Sequence, residues 1–230
     1  MKYKYLIFDL DDTLFDFKGG EMAGLRQVLH DVGLSGEHLE QAIKTYLKIN
    51  RGLWAAFENG EIEKATIHQT RFDKLLEVLG ISGDGQALER AYRQQLNTNY
   101  RLLPGAKELL VELQAAGYHL IAGTNGEAQT QHLRLEHTGL LPYFEGVYIS
   151  DEMGVAKPNP AFYTRIFADF PDMTHENAVM IGDGLASDIR GGAAAGLDTI
   201  WVNLNQNELP ETIHPTQVVT DYDELKQAVQ

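Results

Sequence analysis

Short, near-continuous runs of apolar, β-favouring residues recur along the chain at Tyr3–Phe8, Tyr118–Ala122, Gly146–Ile149, Ala178–Ile181 and Thr199–Val202. Each breaks off into polar or small residues: Asp9, Gly123-Thr124-Asn125-Gly126, Ser150-Asp151, Gly182-Asp183-Gly184 and Asn203. Runs of this kind suit strands covered on both faces, as in a parallel sheet. Helical patterns lie between them. Pro104–Ala116 carries Leu109, Leu110 and Leu113 at helical spacing and stops at Gly117, while Pro160–Phe170 and Ala186–Ala195 have the same character. The alternation predicts an α/β fold with a doubly wound parallel sheet, whose ligand sites lie beyond the carboxyl ends of its strands. From Leu209 onward the pattern predicts a short strand around Val218–Val219 and a closing helix, with little functional weight.

One region breaks the alternation. Met22–Val32, His38–Phe57, Ile62–Leu79 and Asp84–Asn97 read as helices with no strand among them, punctuated by Gly33, Gly60 and Gly83. This is too long for one crossover, so residues 17–99 are expected to form a second, all-helical domain inserted into a core of residues 1–16 and 100–230.

Composition narrows the chemistry. With 19 basic and 33 acidic residues the chain carries a formal charge of −14. Such a surface disfavours a nucleic-acid polymer or an anionic membrane as partner, while leaving room for a small phosphorylated substrate in a locally positive site. No cysteine is present, which excludes thiol catalysis, thiolate metal sites and disulfides. The N-terminal sequence lacks a signal-peptide layout and no stretch reaches transmembrane length, so a cytoplasmic location is expected.

The strand ends hold the candidate chemistry. Asp9 and Asp11 can aim two carboxylates into one crevice, which requires a cation between them or a proton on one. Alone, such a pair reads as an acidic turn; agreement with the other strand ends changes that. Thr124 and Asn125 offer a hydroxyl, an amide and backbone N–H groups suited to phosphate oxygens. Lys157, between restrictive prolines, can neutralise a transferred phosphoryl group, and Asp183 with Asp188 suits oxygen ligation of Mg²⁺. The blander readings are a polar turn, a solvated lysine and, for Asp188, a helix cap.

In order, Asp9-x-Asp11-x-Thr13, Thr124, Lys157 and Gly182-Asp183-x-x-x-x-Asp188 resemble the motifs of the haloacid dehalogenase superfamily. The resemblance implies a Rossmann-like core of strand order 5-4-1-2-3 with a helical cap inserted after the first motif. It implies Asp9 as a nucleophile that forms an aspartyl-phosphate, and Asp11 as the acid for the leaving oxygen and then the base for water. Thr124 and Lys157 would hold the phosphoryl group. Mg²⁺ would be bound by Asp9, the Asp11 main-chain carbonyl and Asp183, with Asp188 a ligand through water or a support for Lys157. Thr13 would orient the catalytic loop, and Asp12 and Asp16 match no catalytic slot. Dehalogenases of the family lack the second carboxylate, so Asp11 favours phosphate-ester hydrolysis or a phosphomutase.

The cap string Asn50-Arg51-Gly52-Leu53-Trp54-Ala55-Ala56-Phe57-Glu58-Asn59-Gly60-Glu61-Ile62, with Thr70-Arg71-Phe72, is similar to that of the pyrimidine 5′-nucleotidase subgroup. That similarity implies pyrimidine nucleoside monophosphates such as UMP, dUMP and dTMP as substrates. Trp54 or Phe57 would stack on a base while Asn50, Arg51 or Arg71 read its polar edge. Against this, at least two of Trp54, Phe57 and Phe72 are expected to build the cap core. The alternatives are a sugar-phosphate or phosphoglycolate phosphatase, a phosphomutase, or a phosphate-binding regulatory module, the last of which is disfavoured by the presence of Asp9 and Asp11. No histidine is assigned a role, since His132 and His137 are five apart. The sequence sets no oligomeric state.

Overall fold

The computed structural model describes residues 2–230. The chain divides into two compact units, one of residues 1–16 and 100–230, the other of residues 17–99.

The first unit is built on a six-stranded sheet: β1 (Tyr5–Phe8), β2 (His119–Thr124), β3 (Gly146–Ile149), β4 (Ala178–Gly182), β5 (Asp198–Val202) and β6 (Gln217–Val219). The strands are parallel throughout, in the order β3-β2-β1-β4-β5-β6. From the other edge this is the expected 5-4-1-2-3 with β6 added outside β5. Alternate side chains leave opposite faces of a strand, and both faces are covered. Leu6 and Phe8 join Leu120, Val179 and Ile200 in one buried cluster with Leu109, Leu110 and Leu113, and Leu225. Those helical residues lie on α5 (Ala106–Ala115) and α10 (Tyr222–Ala228). Tyr5 and Ile7 join Ile121 and Met180 in a second cluster with Phe162, Tyr163 and Ile166 of α8 (Pro160–Asp169). Burial on both sides is why these strands read as almost unbroken apolar runs.

Register brings the chemistry to one edge. Phe8 pairs with Ala122 on one side and Ile181 on the other, so Asp9, Gly123 and Gly182 follow at one level. After β2 comes α6 (Ala128–Thr138), and after β3 the short α7 (Ser150–Met153). The expected helix 186–195 is instead a wide turn over Leu185–Arg190 with i→i+5 bonding, followed by α9 (Gly191–Ala194). The unit's open ends at residues 16 and 100 are tied together. The Asp16 N–H donates to the Arg101 carbonyl at 3.0 Å and the Leu103 N–H to the Leu14 carbonyl at 2.9 Å, flanking an antiparallel Phe15–Leu102 bridge.

The second unit consists of α1 (Phe17–Asp31), α2 (Gly36–Glu58), α3 (Lys64–Leu79) and α4 (Gly85–Asn97). Leu25, Ile43, Tyr46, Phe72, Leu75 and Tyr92 lie in its core. Its ends also meet: a Cβ at Gly20 would collide with the Asn99 side chain, so glycine lets the start and finish of the unit approach.

Candidate active site

Backbone geometry around β1 sets the first carboxylates. The chain turns sharply after Asp9, with Asp12 in the left-handed region at φ 58°, a conformation that aspartate tolerates better than most residues. The Leu14 and Phe15 N–H groups both donate to the Leu10 carbonyl, closing the loop. Thr13 is buried and its hydroxyl accepts from the Asp183 N–H at 3.0 Å, tying the β1 loop to the end of β4. Two further braces come from Tyr222 and Trp201, neither of them a candidate on sequence grounds. The Tyr222 hydroxyl donates to the Thr13 carbonyl at 2.7 Å and Trp201 Nε1–H to the Asp183 carbonyl at 2.9 Å. The C-terminal segment therefore supports the site, contrary to the expectation that it carries little functional weight.

Lys157 sits at the centre of the acidic cluster, 1% exposed. Its ammonium donates to Asp9 Oδ1 at 2.8 Å, Asp188 Oδ1 at 2.6 Å and the Gly123 carbonyl at 2.7 Å, which uses all three of its protons. Burial pushes its pKa down, but the charges of Asp188 and Asp9 more than offset this and hold it above the ordinary lysine value. Asp188 is buried and also accepts from the Gly184 N–H at 2.9 Å through Oδ2. It thus serves as a local backbone cap and as a partner of Lys157 at once. A Cβ at Gly182 would occupy the space of the Asp188 carboxylate, so the glycine is required by close approach.

Asp9, Asp183 and Asp188 bring carboxylate oxygens within 4.8 Å of one another. Burial, foremost, and then the charges of Asp188, Asp183 and Asp11 push the Asp9 pKa well above its usual value despite the opposing Lys157. One ammonium does not balance this many carboxylates. An all-oxygen donor set with an uncompensated negative charge fits a hard divalent cation such as Mg²⁺.

The remaining predicted residues fall into two groups. Thr124 is buried, and its hydroxyl accepts from the Gly126 N–H and from Gln131 Nε2, both at 3.0 Å. With both lone pairs filled, the group has its proton left to offer. Asn125, expected to touch substrate, has its side-chain amide hydrogen-bonded to the Lys157 main chain. Its Nδ2 donates to the Lys157 carbonyl at 2.7 Å and its Oδ1 accepts from the Lys157 N–H at 2.9 Å. The side chain thus braces the lysine's backbone.

Two cap assignments also change. Arg71 is 2% exposed, its Nε and Nη2 donating to the two oxygens of Glu89 at 2.6 Å each. Asn50, also buried, accepts from Arg71 at 3.2 Å and donates to Glu21 Oε1 at 3.0 Å. These polar groups satisfy one another inside the four-helix unit instead of being offered to a base. Phe72 is core, 4.9 Å from Tyr46 between ring centroids. Trp54 and Phe57 are only half-buried and stand edge to face at 5.8 Å, so one of the three aromatics builds the cap core, where at least two were expected. Lys64 lies 5.9 Å from the Trp54 ring centroid.

Asp11 has partners that sequence reasoning missed. Gln131 Nε2 donates to its Oδ2 at 2.8 Å, and Arg134 pairs with its Oδ1. The available signal was the inward face of α6, where Thr130, Gln131 and Arg134 are buried alongside Leu135 at positions where an amphipathic helix normally places apolar residues.

The parallel sheet gathers Asp9, Asp11, Thr124, Lys157, Asp183 and Asp188 at its strand ends, and residues 3–196 match the family of haloacid dehalogenase-like hydrolases. The chain belongs to that family and is an enzyme, a hydrolase of phosphatase type. It is 39% identical to the pyrimidine 5′-nucleotidase PynA of Streptococcus pneumoniae (strain ATCC BAA-255 / R6) over 226 residues, covering 98% of this chain and 94% of that protein. It is 34% identical to the pyrimidine 5′-nucleotidase YjjG of Escherichia coli (strain K12), covering 99% and 98%. The crystal structure of the HAD-hydrolase YfnB of Bacillus subtilis bound to magnesium superposes with a TM-score of 0.91 at 35% identity, over 100% of both chains.

Proposed function

We propose that the protein is a Mg²⁺-dependent phosphomonoester hydrolase acting on pyrimidine nucleoside 5′-monophosphates. The observation that carries the chemistry is the Asp9–Lys157–Asp188 arrangement beside Asp183, with Asp11 on the same loop as Asp9 and Thr124 at the end of the neighbouring strand β2. The similarity to the two pyrimidine 5′-nucleotidases supports the substrate class.

Asp9, Asp183 and the Asp11 carbonyl would hold the cation. When bound, it supplies charge that keeps Asp9 ionised and neutralises phosphate oxygens. Lys157 adds a fixed positive charge for the phosphoryl oxygens, and Thr124 donates its proton to one of them. An Asp9 carboxylate oxygen forms the bond to phosphorus as the ester oxygen departs, and Asp11 transfers a proton to that oxygen. Water then attacks phosphorus, its proton passing to Asp11, and the Asp9–phosphorus bond breaks to release phosphate. Residues 17–99 act as the specificity element, with Trp54 the side chain for a pyrimidine ring.

The test is phosphate release across UMP, dUMP, dTMP, CMP, AMP, phosphoglycolate and sugar phosphates, with and without EDTA. EDTA-sensitive preference for the pyrimidine nucleotides is expected. Preference for phosphoglycolate or a sugar phosphate would overturn the substrate assignment, and EDTA-insensitive turnover would overturn the metal assignment.

A further inference from the structure

Asp11 is the residue of the site whose orientation matters most, because a general acid works only when a lone pair or proton is aimed at the oxygen it serves. It lies on a turn, half-buried, where the backbone alone leaves its side-chain rotamer open. Gln131 and Arg134, three apart on one face of α6, close that freedom. Gln131 Nε2 lies 2.8 Å from Asp11 Oδ2 and 3.0 Å from Thr124 Oγ1, while Arg134 Nη1 pairs with Asp11 Oδ1 and donates to Gln131 Oε1 at 3.2 Å. The Arg134 guanidinium is itself fixed, 1% exposed and 4.2 Å from the centroid of the Phe15 ring. A Cβ at Gly126 would overlap the Gln131 amide, so the glycine turn after Thr124 makes room for this contact.

We infer that Gln131 and Arg134 are positioning residues for the reaction. Together they fix the plane of the Asp11 carboxylate, and Gln131 locks that plane to the Thr124 hydroxyl, so that the acid–base group and the phosphate-binding hydroxyl keep one relative geometry. A carboxylate has about four lone-pair sites; two are engaged by these donors, and the others remain for the leaving oxygen or for water. The inference rests on the reading of Asp11 as acid and base.

The test compares single-turnover phenol release from phenyl phosphate, a poor leaving group that needs the proton, with 4-nitrophenol release from 4-nitrophenyl phosphate, which needs it little. Gln131→Leu removes the amide donor at similar size. Its rate on phenyl phosphate is expected to fall roughly 10-fold or more beyond any loss on the nitro ester, with KM changed by less than about 3-fold. Arg134→Lys, which keeps the charge without the fork, should show the same selective loss at smaller amplitude. Equal losses on both esters would make the pair merely structural, and a faster rate on phenyl phosphate would mean that it restrains Asp11 in an unproductive rotamer; either result overturns the inference. Wild-type inactivity on both esters would instead defeat the phosphatase mechanism itself.

Discussion

Glu89→Gln tests whether the cap is held by charge buried within it. The change keeps the shape but leaves the Arg71 guanidinium facing a neutral amide, at a pair whose side chains are 3% and 8% exposed. Removing one partner of a buried ion pair costs about 3–5 kcal/mol. A second route gives a similar figure. Burial pushes the Glu89 carboxyl upward, but hydrogen bonds from His68 and Arg71 and the charges of Arg71 and Arg93 outweigh it, holding the group at about 2 against its usual 4.5. That displacement corresponds to about 3 kcal/mol. For residues 17–99 melting as a unit of their own, the loss is about 12–24 °C in Tm. The chain has two tryptophans, Trp54 in the cap and Trp201 in the sheet, so a Trp201→Phe background lets fluorescence follow cap unfolding in denaturant. The sign with pH is fixed: because the folded-state pKa is depressed, the Glu89 contribution is fully present above 4.5 and is lost as pH falls toward about 2. The gap between wild type and Glu89→Gln should therefore close over that window. Arg71→Met combined with Glu89→Leu should recover part of the loss, since it removes the buried Arg71 charge and takes an acceptor only from the more exposed Arg93. A gap below about 1 kcal/mol at neutral pH, or a double variant no better than the single one, would refute the reasoning.

Three shorter predictions concern the site. Asp9→Asn should reduce kcat by at least roughly 10⁴-fold and abolish acid-stable trapping of labelled phosphate on the protein, with circular dichroism unchanged; appreciable residual turnover would remove Asp9 as nucleophile. Gly182→Ala should push the Asp188 carboxylate from its place beside Lys157, costing about 1–3 kcal/mol in denaturant melts together with a loss of kcat. Unchanged melting would show that Asp188 relaxes freely. Trp54→Ala should erode discrimination among nucleotide bases while sparing 4-nitrophenyl phosphate; equal losses on both would make Trp54 a packing residue.

The sheet was legible because burial on both faces writes near-continuous apolar runs into the strands, and the strand-end carboxylates stood out because acids seldom follow such runs so regularly. The cap helices were legible from periodicity and glycine stops. What periodicity cannot reveal is whether a polar side chain meets solvent or another polar side chain. Asn50 and Arg71 read as surface groups available to a ligand, yet they are consumed by Glu21 and Glu89 inside the bundle. The bracing of the Lys157 backbone by the Asn125 amide was equally invisible in the sequence. Gln131 and Arg134 escaped notice because their partner Asp11 lies more than a hundred residues earlier, a separation that only the β1–β2 pairing closes. The irregular turn at Leu185–Arg190 has the pattern of an ordinary helix, since nothing local announces that Asp188 turns back to Gly184 and Lys157.

The seam where the two units join has a consequence for how such proteins change over generations. The sheet unit's open ends are stitched together by their own backbone hydrogen bonds around Phe15 and Leu102, and the helical unit's ends meet at Gly20 and Asn99. Each unit closes its own circuit. A different helical cassette with ends equally close together can therefore be spliced in at residues 16 and 100 without any strand changing register. On the reading proposed above, in which residues 17–99 select the substrate, selection can then vary while the strand-end residues keep their places.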